Sequence, residues 1–179
     1  MAPTERITTE HIATARLVLR RPTPADLDAV FAYASDPAVA KYMGWRRHET
    51  HHATRAFLEM RGDEWDKRGT GTFLVEKDGE VIGSTGLHTY DDAPAATGYI
   101  IARPHWGHGY ATEATRAMVE LARARGYPRV EAGCHPDNAA SVRVLEKCGL
   151  VYEATLAKHM MFPNLSGTLC DLMVFAINF

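Results

Sequence analysis

The residues best suited to chemistry lie in one run, Tyr99-Ile100-Ile101-Ala102-Arg103-Pro104-His105-Trp106-Gly107-His108-Gly109-Tyr110-Ala111-Thr112-Glu113-Ala114. It reads as a strand, a short glycine-bearing loop and the start of a helix. Such a loop leaves backbone N–H groups unpaired at the positive end of the helix dipole, which is a site for a phosphate or another anion. Gly107 and Gly109 let the backbone turn and approach a phosphate with no Cβ in the way. A Walker loop needs Gly-Lys-Ser/Thr entering the helix, and Gly109 is followed here by Tyr110-Ala111. The dinucleotide fingerprint needs a third small residue where Thr112 stands. Glu131 lies about 20 residues on, where a ribose-binding acid would sit, but no second βαβ half is left in the chain. A bare turn is the bland alternative.

Other side chains are candidates by type. Asn138 and Asp137 both suit a helix N-cap, and Ser141 falls in the first turn of that helix. His88 ends a strand and carries an imidazole, the side chain most suited to taking a proton near neutral pH. The stretch from Tyr42 to His52 concentrates aromatic, basic and imidazole groups. In it Trp45 is placed to bound a pocket, and Arg46 or Arg47 to hold a carboxylate; a hydrated surface loop is the alternative. His48, His51, His52, His105 and His108 lack a carboxylate–histidine spacing suited to catalysis, so no metal is expected.

Hydrophobic periodicity supplies the elements that must position these groups. Strands are expected over Ala15–Arg21, Thr72–Glu76, Val81–Thr89, Thr97–Ala102, Val130–Cys134, Leu150–Met161 and Leu169–Ile177. Helices are expected from a Thr23 cap through Ala34, over His51–Lys67 and Tyr110–Arg125, and over Asp137–Lys147, with Gly126 and Gly149 as stops. Lys77-Asp78-Gly79-Glu80 reads as a hairpin turn. The order β-α-α-β-β-β-α-β-α-β-β is α/β with a mixed sheet, antiparallel first and crossing over through helices later.

A length of 179 residues fits one domain, 1–179, with residues 1–12 as a flexible extension. Hydrophobic residues at 46% and charged residues at 23% argue against disorder. A net charge of −2 gives no general attraction to nucleic acid or an anionic membrane. Three cysteines, Cys134, Cys148 and Cys170, are an odd number without metal spacing and read as reduced thiols. The start, Met1–Ile12, has no apolar core of a secretory signal, and no run approaches the ~18 apolar residues of a membrane span. A cytoplasmic protein is expected.

Together, Gly98 through Ala114 and His135-Pro136-Asp137-Asn138-Ala139-Ala140-Ser141 through Leu150 resemble the GNAT superfamily of acetyl-CoA-dependent N-acetyltransferases. Thr14-Ala15-Arg16-Leu17-Val18-Leu19-Arg20, Val81-Ile82-Gly83 and Asp171 fit its RimJ/RimL-type branch, named for enzymes that acetylate ribosomal-protein N-termini. The resemblance runs from about residue 12 to the end. It implies the GNAT fold, with a mostly antiparallel sheet splayed beside Tyr99, Ile100 and Ile101, whose free backbone groups pair with the pantetheine of acetyl-CoA. It implies pyrophosphate on the N–H groups of Trp106, Gly107, His108, Gly109, Tyr110 and Ala111, and a hydrogen bond from Asn138 to the pantetheine arm.

The family's usual tyrosine acid is replaced by Leu145, and the branch's serine is matched by Ser141, which the resemblance makes the acid or thiolate hydrogen-bond donor and a residue at the cofactor; a serine bonding backbone in the first turn is the alternative. The branch's glutamate position holds Ala96; His88 is the candidate replacement base, with a structural or solvated His88 and water-mediated deprotonation of the amine as the alternatives. The implied reaction is direct attack of a primary amine, such as a protein N-terminal α-amine, on the thioester. A small-molecule amine (amino acid, polyamine or antibiotic) is the alternative acceptor. A non-catalytic CoA-binding sensor is the alternative of another class, motivated by loss of the tyrosine and glutamate. A homodimer is left open.

Overall fold

Alternating apolar residues pair into one eight-stranded sheet, in a computed structural model that describes residues 10–179. The strands are β1 (His11–Ala13), β2 (Val18–Arg20), β3 (Thr72–Lys77), β4 (Glu80–His88), β5 (Ala95–Ile101), β6 (Arg129–Cys134), β7 (Val151–Met161) and β8 (Leu169–Asn178). Their order is β1-β2-β3-β4-β5-β6-β8-β7. All neighbours are antiparallel except β5 and β6, which are joined by the long helix α4 (Tyr110–Ala124). The remaining helices are α1 (Leu27–Ala34), α2 (Pro37–Ala40), α3 (His51–Arg68) and α5 (Ala139–Lys147).

Local sequence accounts for the main boundaries. Asp78 and Gly79 both take positive φ, as a two-residue hairpin between right-twisted strands requires. Helix α3 starts where the Thr50 side chain accepts from the Ala53 N–H and ends at Gly69 in the left-handed conformation. On one face of the sheet, Met118 and Ala122 of α4 pack on Phe73, Val75, Leu87 and Val130. On the alternate residues, Leu74 and Ile100 meet Val30, Tyr33, Val39 and Leu58 from α1, α2 and α3. Each fully buried Leu, Ile or Phe contributes roughly 1.5–3 kcal/mol. Helix α5 packs through Leu145 against Ala132 and Phe175.

One feature of the sheet positions the site. Strands β5 and β6 pair only at Ala95–Val130 and Ala96–Glu131. Beyond those pairs β5 stays registered with β4 as far as Ile101–Gly83, and β6 with β8 as far as Cys134–Met173. The two strands therefore part, as the resemblance implies, and the sheet is split at its centre.

The structure departs from the expected elements in small ones. Strand β1 and helix α2 are additional, the latter capped by Asp36, which accepts from the Ala38 N–H ahead of a first-turn proline. The strand expected at Ala15 starts at Val18, because Thr14 folds a turn with Leu17 (N–H to carbonyl, 2.9 Å). The helix expected after Thr23 opens with a 3₁₀ turn, Pro24–Asp26. Of the extension expected over residues 1–12, residues 1–9 lie outside the described residues, and His11 and Ile12 pair with Arg20 and Leu19. The late Asp171 accepts from the Lys158 N–H (2.9 Å) where the β7–β8 register shifts.

Arg20 ties the first strands to α1. Its guanidinium meets Asp26 at 2.6 Å and Glu76 at 2.9 Å, and Asp26 also accepts from the Thr23 N–H and hydroxyl. Burial pushes the Asp26 carboxyl up, but the Arg20 and Thr23 hydrogen bonds outweigh it and hold it below its usual value of 3.8. A depressed folded-state value means stabilisation that is complete above the unfolded value and lost as pH falls through the folded one. Asp26→Asn is therefore expected to cost on the order of 3 kcal/mol in urea unfolding at pH 7. The gap from wild type should close below about pH 4.

Candidate active site

An outer groove of about 690 Å³ runs from the glycine loop along β5 to the N-terminus of α5, within the size range of ligand sites. Tyr99, Ile100, Ile101, Trp106, Gly107, Gly109, Tyr110, Ala111 and Asn138, all expected at the cofactor, line it; His108 and Ser141, also expected there, do not. Gly107 and Gly109 take φ of 78° and 81°, which turns the chain so that Gly109 caps α4. Among the described residues, the N–H groups of Gly107 to Thr112 have no backbone partner, whereas that of Glu113 bonds Gly109. Trp106 departs from the expected donor row, because its N–H is taken by the Arg103 carbonyl in the 3₁₀ turn Arg103–His105. Its half-exposed indole donates to the Ile101 carbonyl at 2.6 Å, so that carbonyl is also engaged. Lys41, Arg143 and Lys147 bring cations to the same groove; the i, i+4 spacing of the last two on α5 was the available signal.

Arg16 braces the loop. It donates to the His108 carbonyl (3.0 Å), pairs with Glu113 (2.7 Å) and lies over the Tyr110 ring (4.8 Å to the centroid). The Arg16 N–H and the Thr14 hydroxyl also donate to Glu113. Burial pushes Glu113 up, and these donors more than reverse it, so its carboxyl stays ionised. A carboxylate in the first turn suits the helix dipole but opposes a bound anion, and the guanidinium neutralises it.

An inner cavity of about 280 Å³ lies at the split in the sheet and shares Tyr42, Met43, Tyr99, Ile100 and Asn138 with the groove. It brings Ser141, Tyr99 and Asn138 together with His88 and Gly86. The Asn138 side chain caps α5 by accepting from the Ser141 N–H (3.2 Å) and lines both cavities. The Tyr99 hydroxyl donates to Ser141 Oγ at 3.1 Å. Burial pushes the Tyr99 phenol up to about 12, so it remains a donor at physiological pH. Leu145, at the usual tyrosine position, is buried in the lining. Cys134 also lines the cavity, and burial pushes its thiol up to about 11. His88 sits directly across from Ala96 on the neighbouring strand.

The loop after α2 forms the cavity's far wall through Tyr42, Met43, Gly44, Trp45 and His48, while Arg46 and Arg47 take no part in the lining. Arg47 pairs with Glu49 (3.4 Å) instead. His48 bonds Thr54 (2.9 Å), and burial lowers its basicity. His51 stacks on Phe31 and meets Asp28 at 3.2 Å. Among the described residues no three metal-capable side chains come together. Asn164, in the turn between β7 and β8, was missed by sequence reasoning. Its amide donates to the carbonyls of Ala40 (2.8 Å) and Trp45 (2.7 Å) and accepts from the Arg47 N–H (2.8 Å), tying the wall in place.

A split sheet leads from a glycine-led helix N-terminus, suited to an anion, to a cavity lined by a hydroxyl and an imidazole, groups suited to moving protons. The chain belongs to the GNAT acetyltransferases: residues 16–151 match the family described as an acetyltransferase (GNAT) domain. Over 173 residues it is 30% identical to an uncharacterized N-acetyltransferase, p20, of Bacillus licheniformis, covering 94% of this chain and 96% of that protein. A GNAT-family acetyltransferase structure from Bacillus anthracis superposes with a TM-score of 0.80 at 28% identity, covering 94% of this chain and 98% of that one. RimL, the ribosomal L7/L12 α-N-protein acetyltransferase, in complex with coenzyme A, superposes at 0.83 with 20% identity over 95% and 98% of the two chains.

The clamp on the glycine loop gives a direct expectation. Arg16→Met removes a charge-assisted hydrogen bond and should weaken coenzyme A binding about tenfold in calorimetric titration. Unchanged affinity would retire the clamp.

Proposed function

We propose that the chain transfers the acetyl group of acetyl-CoA to a primary amine, a protein N-terminal α-amine first among them, by direct attack in a ternary complex. The observation that carries this reading is that the Ser141 hydroxyl on α5, bonded to Tyr99 of β5, and the His88 imidazole, bonded to Glu64 of α3, line one cavity at the split. Acetyl-CoA is read in the outer groove, with pyrophosphate on the N–H groups from Gly107 onward. Its pantetheine follows β5 past Asn138, and its thioester reaches the split. The likeness to RimL, a ribosomal L7/L12 α-N-protein acetyltransferase, supports the α-amine acceptor.

Each proton then has a carrier. An acceptor ammonium loses two protons and keeps one in the product amide. His88, opposite the missing glutamate, takes the first and passes it to solvent. The free amine attacks the carbonyl carbon, and the C–S bond breaks with its electron pair going to sulfur. Ser141 accepts from Tyr99, so its own proton is free to go to the departing sulfur. The second proton lost by the nitrogen restores the hydroxyl. The protonated Cys134 thiol supports transfer without a covalent enzyme intermediate.

A small-molecule amine is the second reading, favoured by the modest inner cavity and its tied wall. The protein is read as acting as one domain in the cytoplasm, on its three unbridged cysteines. No helix among the described residues is long and apolar enough to cross a membrane.

Calorimetric titration should show acetyl-CoA and CoA binding and no NAD binding. Gly107→Val should abolish the CoA signal, because the strained side chain enters open space at the loop. Binding that survives Gly107→Val would remove the loop assignment. CoA release with peptides or with small amines separates the two acceptor readings, and binding without release across the panel would leave a sensor. Ser141→Ala keeps the cap, which uses the backbone N–H, and should lower turnover about a hundredfold at constant CoA affinity. An unaffected rate retires Ser141 as the acid.

A further inference from the structure

His88 does not stand alone. Its Nδ1 lies 2.6 Å from Oε1 of Glu64, on the last turns of α3, and the other Glu64 oxygen accepts from Arg61 Nη1 at 2.8 Å. Both partners of the first contact are largely buried. Burial pushes the Glu64 carboxyl up, but the hydrogen bonds and charges of His88 and Arg61 outweigh it and hold it below its usual range. An ionised carboxylate has no proton to donate, so the hydrogen in the short contact belongs to Nδ1. In the neutral ring the other nitrogen, Nε2, then carries the lone pair.

The backbone shows where Nε2 lies. A Cβ added at Gly86 would stand 2.6 Å from Nε2 and 3.1 Å from Cε1 of His88. The ring therefore leans back along β4 over a glycine, and both residues line the inner cavity. Gly98, directly across the strand pair from Gly86, lines it too and leaves that floor bare of side chains. An alanine in place of Gly86 would occupy the ring's position. The imidazole is thus fixed at one nitrogen by α3 and at the other by the space that a glycine leaves.

We propose that Glu64 is a positioning residue that holds His88 in the Nδ1–H tautomer, so that Nε2 presents its lone pair to the acceptor amine. This rests on the reading of His88 as the base. In the reaction Nε2 takes one proton from the acceptor ammonium, and the nitrogen's freed pair forms the bond to the acetyl carbonyl carbon. The C–S pair leaves with sulfur. The imidazolium formed keeps its Nδ1–H on the Glu64 carboxylate, which offsets the new charge until solvent removes the proton. A purely structural Glu64, pinning α3 to the sheet, would act on stability alone.

The wild-type protein answers first. Side-chain ¹⁵N NMR of His88 should find the proton on Nδ1 in the neutral ring, and a proton on Nε2 overturns the proposal outright. Glu64→Gln should then lower kcat at least tenfold, with the KM for the amine and the affinity for acetyl-CoA within about threefold. In a His88→Gln background the same substitution should cost nothing further. Losses that add in the double variant overturn the Glu64 role while leaving acetyl transfer standing. If Glu64→Gln does not fold, Gly86→Ala, which displaces the ring without touching Glu64, should reproduce the fall in kcat, and full activity there overturns the proposal. A wild-type protein that binds acetyl-CoA and releases no CoA with any amine overturns the base reading and this role with it, whatever the NMR finds for the pair.

Discussion

The split between β5 and β6 is the constraint on which the rest depends. Two strands that stop pairing after two residue pairs leave backbone N–H and C=O groups unmatched, a cost that a folded chain meets only with other partners. The gap persists because each strand is anchored on its far side, β5 by β4 and β6 by the β8 strand. The parted edges give an extended, amide-bearing ligand something to pair with. They also bring the groove at α4 and the cavity beneath α1 and α3 to a shared wall of Tyr99, Ile100 and Asn138. At the upper end Trp106 closes part of the free edge by bonding Ile101, so the exposed groups concentrate nearer Tyr99.

Electrostatics in the groove and in the inner cavity differ in kind. In the groove, charge is supplied by oriented backbone N–H groups, with cations from α5 and a neutralised Glu113. In the inner cavity the ionisable groups are matched to one another, Arg61 to Glu64 and Glu64 to His88, and the rest of the wall is largely aromatic and apolar. The first arrangement suits a polyanionic ligand, and the second suits controlling a single proton.

Much of this was legible from the chain. Long periodic segments such as α3, α4 and β8 emerged within a residue or two, and the glycine loop announced its helix terminus by residue type alone. The elements missed, β1 and α2, are too short to carry a period. Within the site, composition and resemblance pointed to Asn138, Ser141 and His88, and the structure brings them together. The Trp106 amide was misassigned because a local 3₁₀ turn competes for it. Glu64, Asn164 and the role of Arg16 were invisible for another reason. Their partners lie 24, 117 and 97 residues away in sequence, for instance, and spacing arguments reach only a few turns. That His88 faces Ala96 needed the strand register, which fixes what a list of residues cannot.

Asn164 also sets an order of assembly. Its bonds to Ala40 and Trp45 span 124 and 119 residues, so the wall they secure joins an early loop to the final hairpin. On a ribosome, α1, α3 and the first five strands emerge well before that hairpin, and contacts so distant in sequence close late in folding. The glycine loop and α4 come earlier in the chain than the hairpin that secures this wall, but β6 gains its β8 neighbour only with that same hairpin. A nascent chain therefore completes both edges of the split, and the wall beside it, only when its last strands are in place.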